Sequence, residues 1–323
     1  MLRLLIVKTS SLGDVIHNLP IVADIRTHNP DVRIDWLVEE GFADIPRLHP
    51  GVDAVMTVAA RRWRKNLLSS QTWSEIAVCK RSLRNAKYDL VLDTQGLLKS
   101  AIFANFSQAP IHGQDKHSAR ESLAACFYQY RHTVPRGTHA VVRNRQLAAA
   151  ALQYSLPETP PSFGLCAGLE LGDEPAFNSA NPYVIGLHGT SRDAKLWPTE
   201  HWVTLGNHLS DGQISLILPW GTEAEYQRAQ TIAASVPMAM VLPRLGIREL
   251  INVFAGAQAA VGVDTGLAHL AVALRLPTIA IYTDTDPTLT GLYPEAGAHA
   301  VNLGGRNQMP APSTVIENIK RFL

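Results

Sequence analysis

The sequence lacks any apolar run long enough to cross a bilayer: its densest stretch, Leu147–Leu152, is mostly alanine and far short of the roughly 20 residues required. The opening run Leu2–Val7 is interrupted by Arg3 and ends at Lys8 without a small-residue cleavage site, so the chain reads as one that is not exported. Cysteine is scarce. Cys79, Cys126 and Cys166 are odd in number and form no Cys-x-x-Cys pair, which argues against a disulfide framework and a zinc knuckle and fits a reducing, cytoplasmic setting. No Gly-x-Gly-x-x-Gly is present, which demotes nicotinamide enzymes, and Gly189–Lys195 lacks both the second glycine and the following Ser or Thr of a Walker loop. The 12 histidines show no His-Glu-x-x-His spacing, and no nucleic-acid motif, internal repeat or low-complexity tract is visible.

What is present is a 323-residue chain, 46% hydrophobic and 18% charged, a size that suits two domains of about 150 residues each. Residues 1–150 carry 20 Lys and Arg against 13 Asp and Glu, whereas the remainder carries 9 against 15. The overall charge of +1 therefore hides a basic first half, suited to an acidic partner or simply a product of surface composition.

Strand-like runs alternate with helical patterns almost throughout, the signature of parallel sheets with helical crossovers. Strands are expected at Leu2–Lys8, Arg33–Glu39, Ala54–Val58 and Tyr88–Asp93, with helices near Val15–His28, Thr72–Ala86, Leu97–Phe106, Ser118–Tyr130 and Ala140–Tyr154. A proline-rich segment follows, including Pro157, Pro160, Pro161, Pro175 and Pro182. The alternation then resumes with strands at Tyr183–His188, Ile214–Pro219, Met240–Leu242, Ala259–Val263 and Thr278–Tyr282, separated by helices and closed by an amphipathic tail at Thr314–Leu323. The expected organisation is an N-terminal domain 1–160, a linker 161–182, a C-terminal domain 183–310 and a terminal helix 311–323, both domains Rossmann-like and doubly wound.

In such sheets ligands sit beyond the carboxyl ends of the strands, so the strand-to-helix loops are the candidate sites. The first, Thr9–Asp14, is small and polar. Gly13 permits close backbone approach there, and Asp14, at the first helical turn, serves as a helix cap or as a carboxylate facing a ligand. In the second half, His188–Lys195 offers two hydroxyls, Thr190 and Ser191, with Arg192 and Lys195, a set matched to a diphosphate or equally to a solvated loop. A second such loop favours the phosphate reading: Ala259–Val263 runs into Asp264, Thr265 and Gly266 at a helix start, where free amides and the dipole attract phosphate, with His269 one turn on. Glu225, early in the helix after Leu218–Gly221, is placed to accept ribose hydroxyls or is an ordinary first-turn acid.

In the basic half, Arg61, Arg62, Arg64 and Lys65 surround Trp63 in a run that suits an anionic ligand near a membrane surface or a solvated loop. Asp93–Gly96, with Gln95, Lys99 and Arg120 nearby, is a further candidate for an acceptor side. Asp284-Thr285-Asp286 matches a short metal-binding pattern but is followed at once by Pro287, and no metal is expected.

Taken together, VKTSSLGDVIHNLP at Val7–Pro20, WLVEEGFADIP at Trp36–Pro46, ARRWRK at Ala60–Lys65, DTQGLLKSA at Asp93–Ala101, HGTSRDAKLWP at His188–Pro198, LPWG at Leu218–Gly221 and VDTGLAHLA at Val263–Ala271 resemble the lipopolysaccharide heptosyltransferases over essentially the whole chain. KTSSLGD with ARRWRK is more similar to the type I branch. The resemblance implies an α/β GT-B fold with an interdomain cleft, and inverting transfer of L-glycero-D-manno-heptose from its ADP carrier to the Kdo of Kdo2-lipid A. It implies no cofactor, and peripheral work at the cytoplasmic face of the inner membrane.

It also implies Asp14 as catalytic base, with Thr190, Ser191, Lys195, Glu225, Asp264, Thr265, Gly266 and His269 on the donor, and Ser11, Gly13, Arg61, Arg62, Arg64, Lys65, Gln95, Lys99 and Arg120 on the acceptor. The segments HGTSRDAK and YTDTDP depart slightly from the family pattern. A type II enzyme with a heptose acceptor, and a non-catalytic two-lobed nucleotide-sugar binding protein, are the alternatives.

Overall fold

The computed structural model describes residues 1–165, Ser179 and 181–323; Cys166 and Pro175 lie outside them. The chain forms two compact units, Met1–Gly168 and Leu169–Leu323. Each is built on one six-stranded sheet whose strand pairs are all parallel.

In the first unit the strands are β1 (Arg3–Val7), β2 (Arg33–Glu39), β3 (Ala54–Val58), β4 (Leu90–Asp93), β5 (Ile111–Gln114) and β6 (Tyr130–His132), in spatial order β3-β2-β1-β4-β5-β6. In the second they are β7 (Tyr183–Leu187), β8 (Ser215–Leu218), β9 (Ala239–Val241), β10 (Ala259–Val263), β11 (Thr278–Tyr282) and β12 (Ala300–Gly304), in order β12-β11-β10-β7-β8-β9. Both are the doubly wound order in which the chain runs outward from its first strand and returns on the other side with its fourth. The switch points lie between β1 and β4 and between β7 and β10.

The central strands are continuous apolar runs because helices cover both faces: Leu4–Val7 and Val184–Ile185 are fully buried. Leu5, Val7, Leu37 and Val91 enter one core, and Val184, Leu216, Val261 and Ile281 another. The terminal helix, Pro312–Ile319, belongs to the second core through Val315 and Ile319.

Three expectations are corrected. The helix expected over Val15–His28 is two helices, Leu12–Ile16 and Pro20–His28, because Pro20 cannot donate within a continuous helix and instead opens the second. The helix expected over Ser118–Tyr130 is only a 3-10 segment, Ser122–Phe127, followed by strand β6. Its alanines favour a helix, but Tyr128 is drawn into the core against Gly113, where a Cβ would stand 2.3 Å from the tyrosine ring. The run Ala60–Lys65, one reading of which was a solvated loop, is a short helix anchored by buried Trp63.

Candidate active site

Both switch points collect the charged residues. In the first unit Lys8 and Thr9 leave β1 while Asp93, Thr94 and Gln95 leave β4, and all five are buried. Asp93 accepts hydrogen bonds from the Gln95 and Gly96 amides (2.9 and 3.3 Å) and from the Ser100 and Tyr128 hydroxyls (both 2.8 Å). Desolvation pushes its pKa up, and these donors oppose the shift. Gln95 turns back across the switch point: its Oε1 accepts from the amides of Thr9 (2.9 Å) and Ser10 (3.1 Å), fixing the loop that presents Asp14. The peptide between Ser10 and Ser11 in that loop is cis.

Asp14 is half-buried in the first turn of Leu12–Ile16. Its Oδ2 accepts from the Ser11 amide (2.9 Å) and hydroxyl (3.0 Å), while Oδ1 accepts no hydrogen bond among the described residues. One oxygen thus caps the helix and the other is free for chemistry.

Beneath it, the Lys8 ammonium donates to the Thr94 carbonyl (2.9 Å) and pairs with no carboxylate among the described residues. Burial lowers its pKa, and the charges of Asp14 and Asp93 act against that shift. Lys99 donates to the Ser10 hydroxyl (2.8 Å); its pKa is lowered by burial, opposed by the buried Glu39 carboxylate, with Arg61, Arg64 and Arg120 adding repulsion. Arg143 donates to the Ser118 carbonyl (2.9 Å) and Gln114 (3.4 Å), again without a carboxylate among the described residues. The loop carrying Asp14 is therefore set in an excess of positive charge.

In the second unit, the Lys195 ammonium lies 2.5 Å from Asp264 Oδ2, which also accepts from the Thr285 hydroxyl (2.7 Å). Thr190 donates to the Asp264 carbonyl (3.0 Å), so the loops after β7 and β10 are bound to each other. Thr265 is the N-cap of Gly266–Ala273 and makes no side-chain cap bond. Buried His269 sits in the first turn of that helix.

Glu225 Oε2 accepts from the amides of Gly221 (2.7 Å) and Thr222 (3.0 Å), closing the first turn of the helix Glu223–Ala233, while its Oε1 faces Gly189 so closely that a Cβ there would be 2.6 Å away. The turn after β8 is thereby pressed against the loop after β7. Asp284 pairs with Arg192 (3.6 Å), and Asp286 caps the turn at Thr288.

These placements redistribute several expected roles. Arg62 is not free for an acceptor: its guanidinium is held by Glu40 (3.2 Å) and Glu75 (2.7 Å), which neutralise it. Gln95 positions the loop and is buried. Asp264 is an ion-pair hub. Arg61 lies over the Phe42 ring (4.9 Å), and Arg64, Lys65, Arg120 and Ser191 are exposed. Ser11 is exposed beside Asp14, and Gly13 is buried. Lys8 and Arg143 were missed; Lys8 ends an apolar strand and Arg143 lies in an alanine-rich helix, and neither position shows in sequence that its charge will be enclosed.

The model of glycosyltransferase family 9 (heptosyltransferase) matches residues 76–319. Lipopolysaccharide heptosyltransferase 1 of Pseudomonas aeruginosa is 46% identical over 299 residues, 92% of this chain and 83% of the relative. Among solved structures, the E. coli heptosyltransferase WaaC with ADP superposes with a TM-score of 0.90 at 39% identity over all of both chains. The same enzyme with ADP-2-deoxy-2-fluoro heptose gives 0.87 at 38% over 99% of each.

Proposed function

The chain belongs to glycosyltransferase family 9, the heptosyltransferases, and on that premise we propose that it transfers L-glycero-D-manno-heptose from ADP-heptose to a Kdo hydroxyl of Kdo2-lipid A, with inversion, at the cytoplasmic face of the inner membrane. The observation that carries this reading is the Asp14 carboxylate, held through one oxygen and open at the other, in a loop surrounded by Lys8, Lys99, Arg120 and Arg143. A neutral acceptor has no need of that charge; an acceptor bearing carboxylates and phosphates does.

In this reading the N-terminal domain, residues 1–160, binds the acceptor, and the C-terminal domain, residues 183–310, binds the donor. Asp14 takes the proton of the attacking hydroxyl as the new bond forms at the anomeric carbon and the bond to ADP breaks on the opposite face. Charge accumulating on departing ADP is met by Lys195 and by the open amides at Thr265 and Gly266. Glu225 Oε1 accepts from the ribose, and Thr190, Ser191, Asp264 and His269 line the donor. Lys99, Arg61, Arg64, Lys65 and Arg120 hold acceptor anions, joined by Lys8 and Arg143; Ser11 and Gly13 shape the loop. The solved WaaC complexes with ADP and with a fluorinated ADP-heptose, both highly similar in fold, support the donor side.

The deciding experiment is ADP release by the purified protein from ADP-heptose with delipidated Kdo2-lipid A. Turnover dependent on that acceptor is expected. Turnover only with an already heptosylated acceptor refutes the acceptor assignment, and binding of ADP-heptose without turnover on either acceptor refutes catalysis.

A further inference from the structure

Residues 60–87 contain eight Lys and Arg and a single carboxylate, Glu75, so this short segment equals the whole positive excess of residues 1–150. Glu75 is consumed internally, accepting from Arg62, Trp63 and Gln71. Against that background three large apolar side chains stand in solvent within seven residues: Leu67 is 52% exposed, Leu68 103% and Trp73 58%. Single exposed leucines are ordinary; a cluster ringed by cations is not.

The cluster is also built. The Trp73 indole donates to the Leu67 carbonyl (2.8 Å), Asn66 closes on Trp63 (3.0 Å) and Ser69 on Asn66 (3.1 Å), so Leu67 and Leu68 form a braced tip. The following helix, Ser70–Asn85, buries Thr72, Cys79 and Leu83. At 100° per residue, Trp73, Lys80 and Arg84 fall on one exposed stripe with Arg81 beside it, and Arg64 and Lys65 precede the tip. An apolar wedge with tryptophan at its shoulder and cations around it matches the layered chemistry of a membrane surface: acyl chains, interface, anionic headgroups.

We propose that Leu67, Leu68 and Trp73 insert into an anionic lipid bilayer, with Lys80, Arg81 and Arg84 on its headgroups, docking the enzyme beside its acceptor. The proposal rests on the acceptor reading above in one respect: Arg61 and Arg64 belong to the same short helix as Lys65 and act on Lys99, so the docking tip continues directly into the acceptor cations.

The test is flotation of the full-length protein with vesicles of phosphatidylcholine alone and of phosphatidylcholine with phosphatidylglycerol, alongside turnover on the water-soluble delipidated acceptor. The wild type is expected to float with the anionic vesicles and less with the neutral ones, an advantage that salt erodes. Leu67→Gln with Leu68→Gln lowers the bound-to-free ratio roughly a hundredfold, about tenfold for each leucine. Lys80→Gln, Arg81→Gln and Arg84→Gln lower it roughly fivefold each at low salt. Turnover on the soluble acceptor stays unchanged in these variants, which shows that they are folded.

Undiminished flotation of the double leucine variant overturns the proposal, as does a wild type that does not float. Sedimentation as a dimer that the leucine variant converts to a monomer, without lipid binding, assigns the tip to a second copy instead. Flotation as expected in a protein without turnover leaves the docking surface standing and refutes the acceptor reading alone.

Discussion

Replacing Asp14 by Asn separates the two uses of that carboxylate. In the native loop Oδ2 accepts from the Ser11 amide and hydroxyl at 2.9 and 3.0 Å, and Oδ1 is unoccupied among the described residues. Asparagine can turn its carbonyl oxygen to both Ser11 donors, so the helix start survives, and exchanging charge-assisted for neutral bonds costs about 1–2 kcal/mol. The amide nitrogen then takes the place of Oδ1, where it donates and cannot remove a proton. Loss of a general base lowers kcat by about 10²–10⁴, equivalent to about 3–5 kcal/mol on the barrier.

ADP affinity is expected to be unchanged, because every donor residue assigned above lies in the other unit. The assay is steady-state ADP release, paired with calorimetric titration of ADP and a urea unfolding curve. A kcat within about tenfold of wild type refutes the base assignment. A large loss of ADP affinity refutes the division of labour between the units.

Three further outcomes follow from the same geometry. Lys195→Ala removes a charge-assisted partner of phosphate and leaves Asp264 unpaired beside it, so ADP affinity should fall at least about tenfold; unchanged calorimetric affinity contradicts this. Gly189→Ala places a Cβ 2.6 Å from Glu225 Oε1, 2.7 Å from its Cδ and 2.8 Å from its Cγ, so the whole side chain must swing aside and give up its bonds to the Gly221 and Thr222 amides. Stability should fall by about 1–2 kcal/mol, the cost of losing that capping interaction, while KM for ADP-heptose rises several-fold at nearly constant kcat, and an unaltered KM removes Glu225 from the ribose site. Burial holds His49 and His188 near a pKa of about 4 against the usual 6.5. The unfolded chain therefore binds more protons between those values, and stability, complete above the higher one, declines as pH falls toward the lower, by about 2 kcal/mol per histidine at pH 5. Urea curves at pH 7 and pH 5 measure this, with a shallower decline expected for His188→Gln; equal stability at both pH values counts against it.

The central strands were legible because a strand covered on both faces must be apolar at every position, as in Leu4–Val7 and Ala259–Val263. Strands β5, β6 and β12 escaped the same test. Tyr-Arg-His and Ala-Val-Asn-Leu-Gly are edge strands whose half-exposure permits polar residues, whereas Ile-His-Gly-Gln is mostly buried one strand in from the edge and is too short and polar to show a pattern; pairing with a neighbour supplies the structure of all three. The Ser118–Tyr130 error has the same origin: local helix preference was outweighed by a long-range demand, the seating of Tyr128 on Gly113 with its hydroxyl on Asp93.

Topology makes the charged loops at the two switch points legible in the sequence. Charges at a switch point are partly desolvated and must find partners, and the two units solve this differently. In the second, Lys195 and Asp264 satisfy each other. Under the proposed donor assignment an arriving diphosphate exchanges one anionic partner of Lys195 for another; the sequence shows the carboxylate and the ammonium in two strand-to-helix loops, and their pairing emerges only in the fold. In the first, Asp93 is satisfied by four neutral donors, which leaves Lys8 on a carbonyl and Arg143 on a carbonyl and an amide. That surplus is invisible in sequence, because it depends on which carboxylate has already been used, and Asp93 is an ordinary strand-end acid until Tyr128 and Ser100 close over it. An enclosed positive surplus is stabilised by an incoming anion, so the residues hardest to read, Lys8 and Arg143, are those on which the proposal of an acidic acceptor most depends.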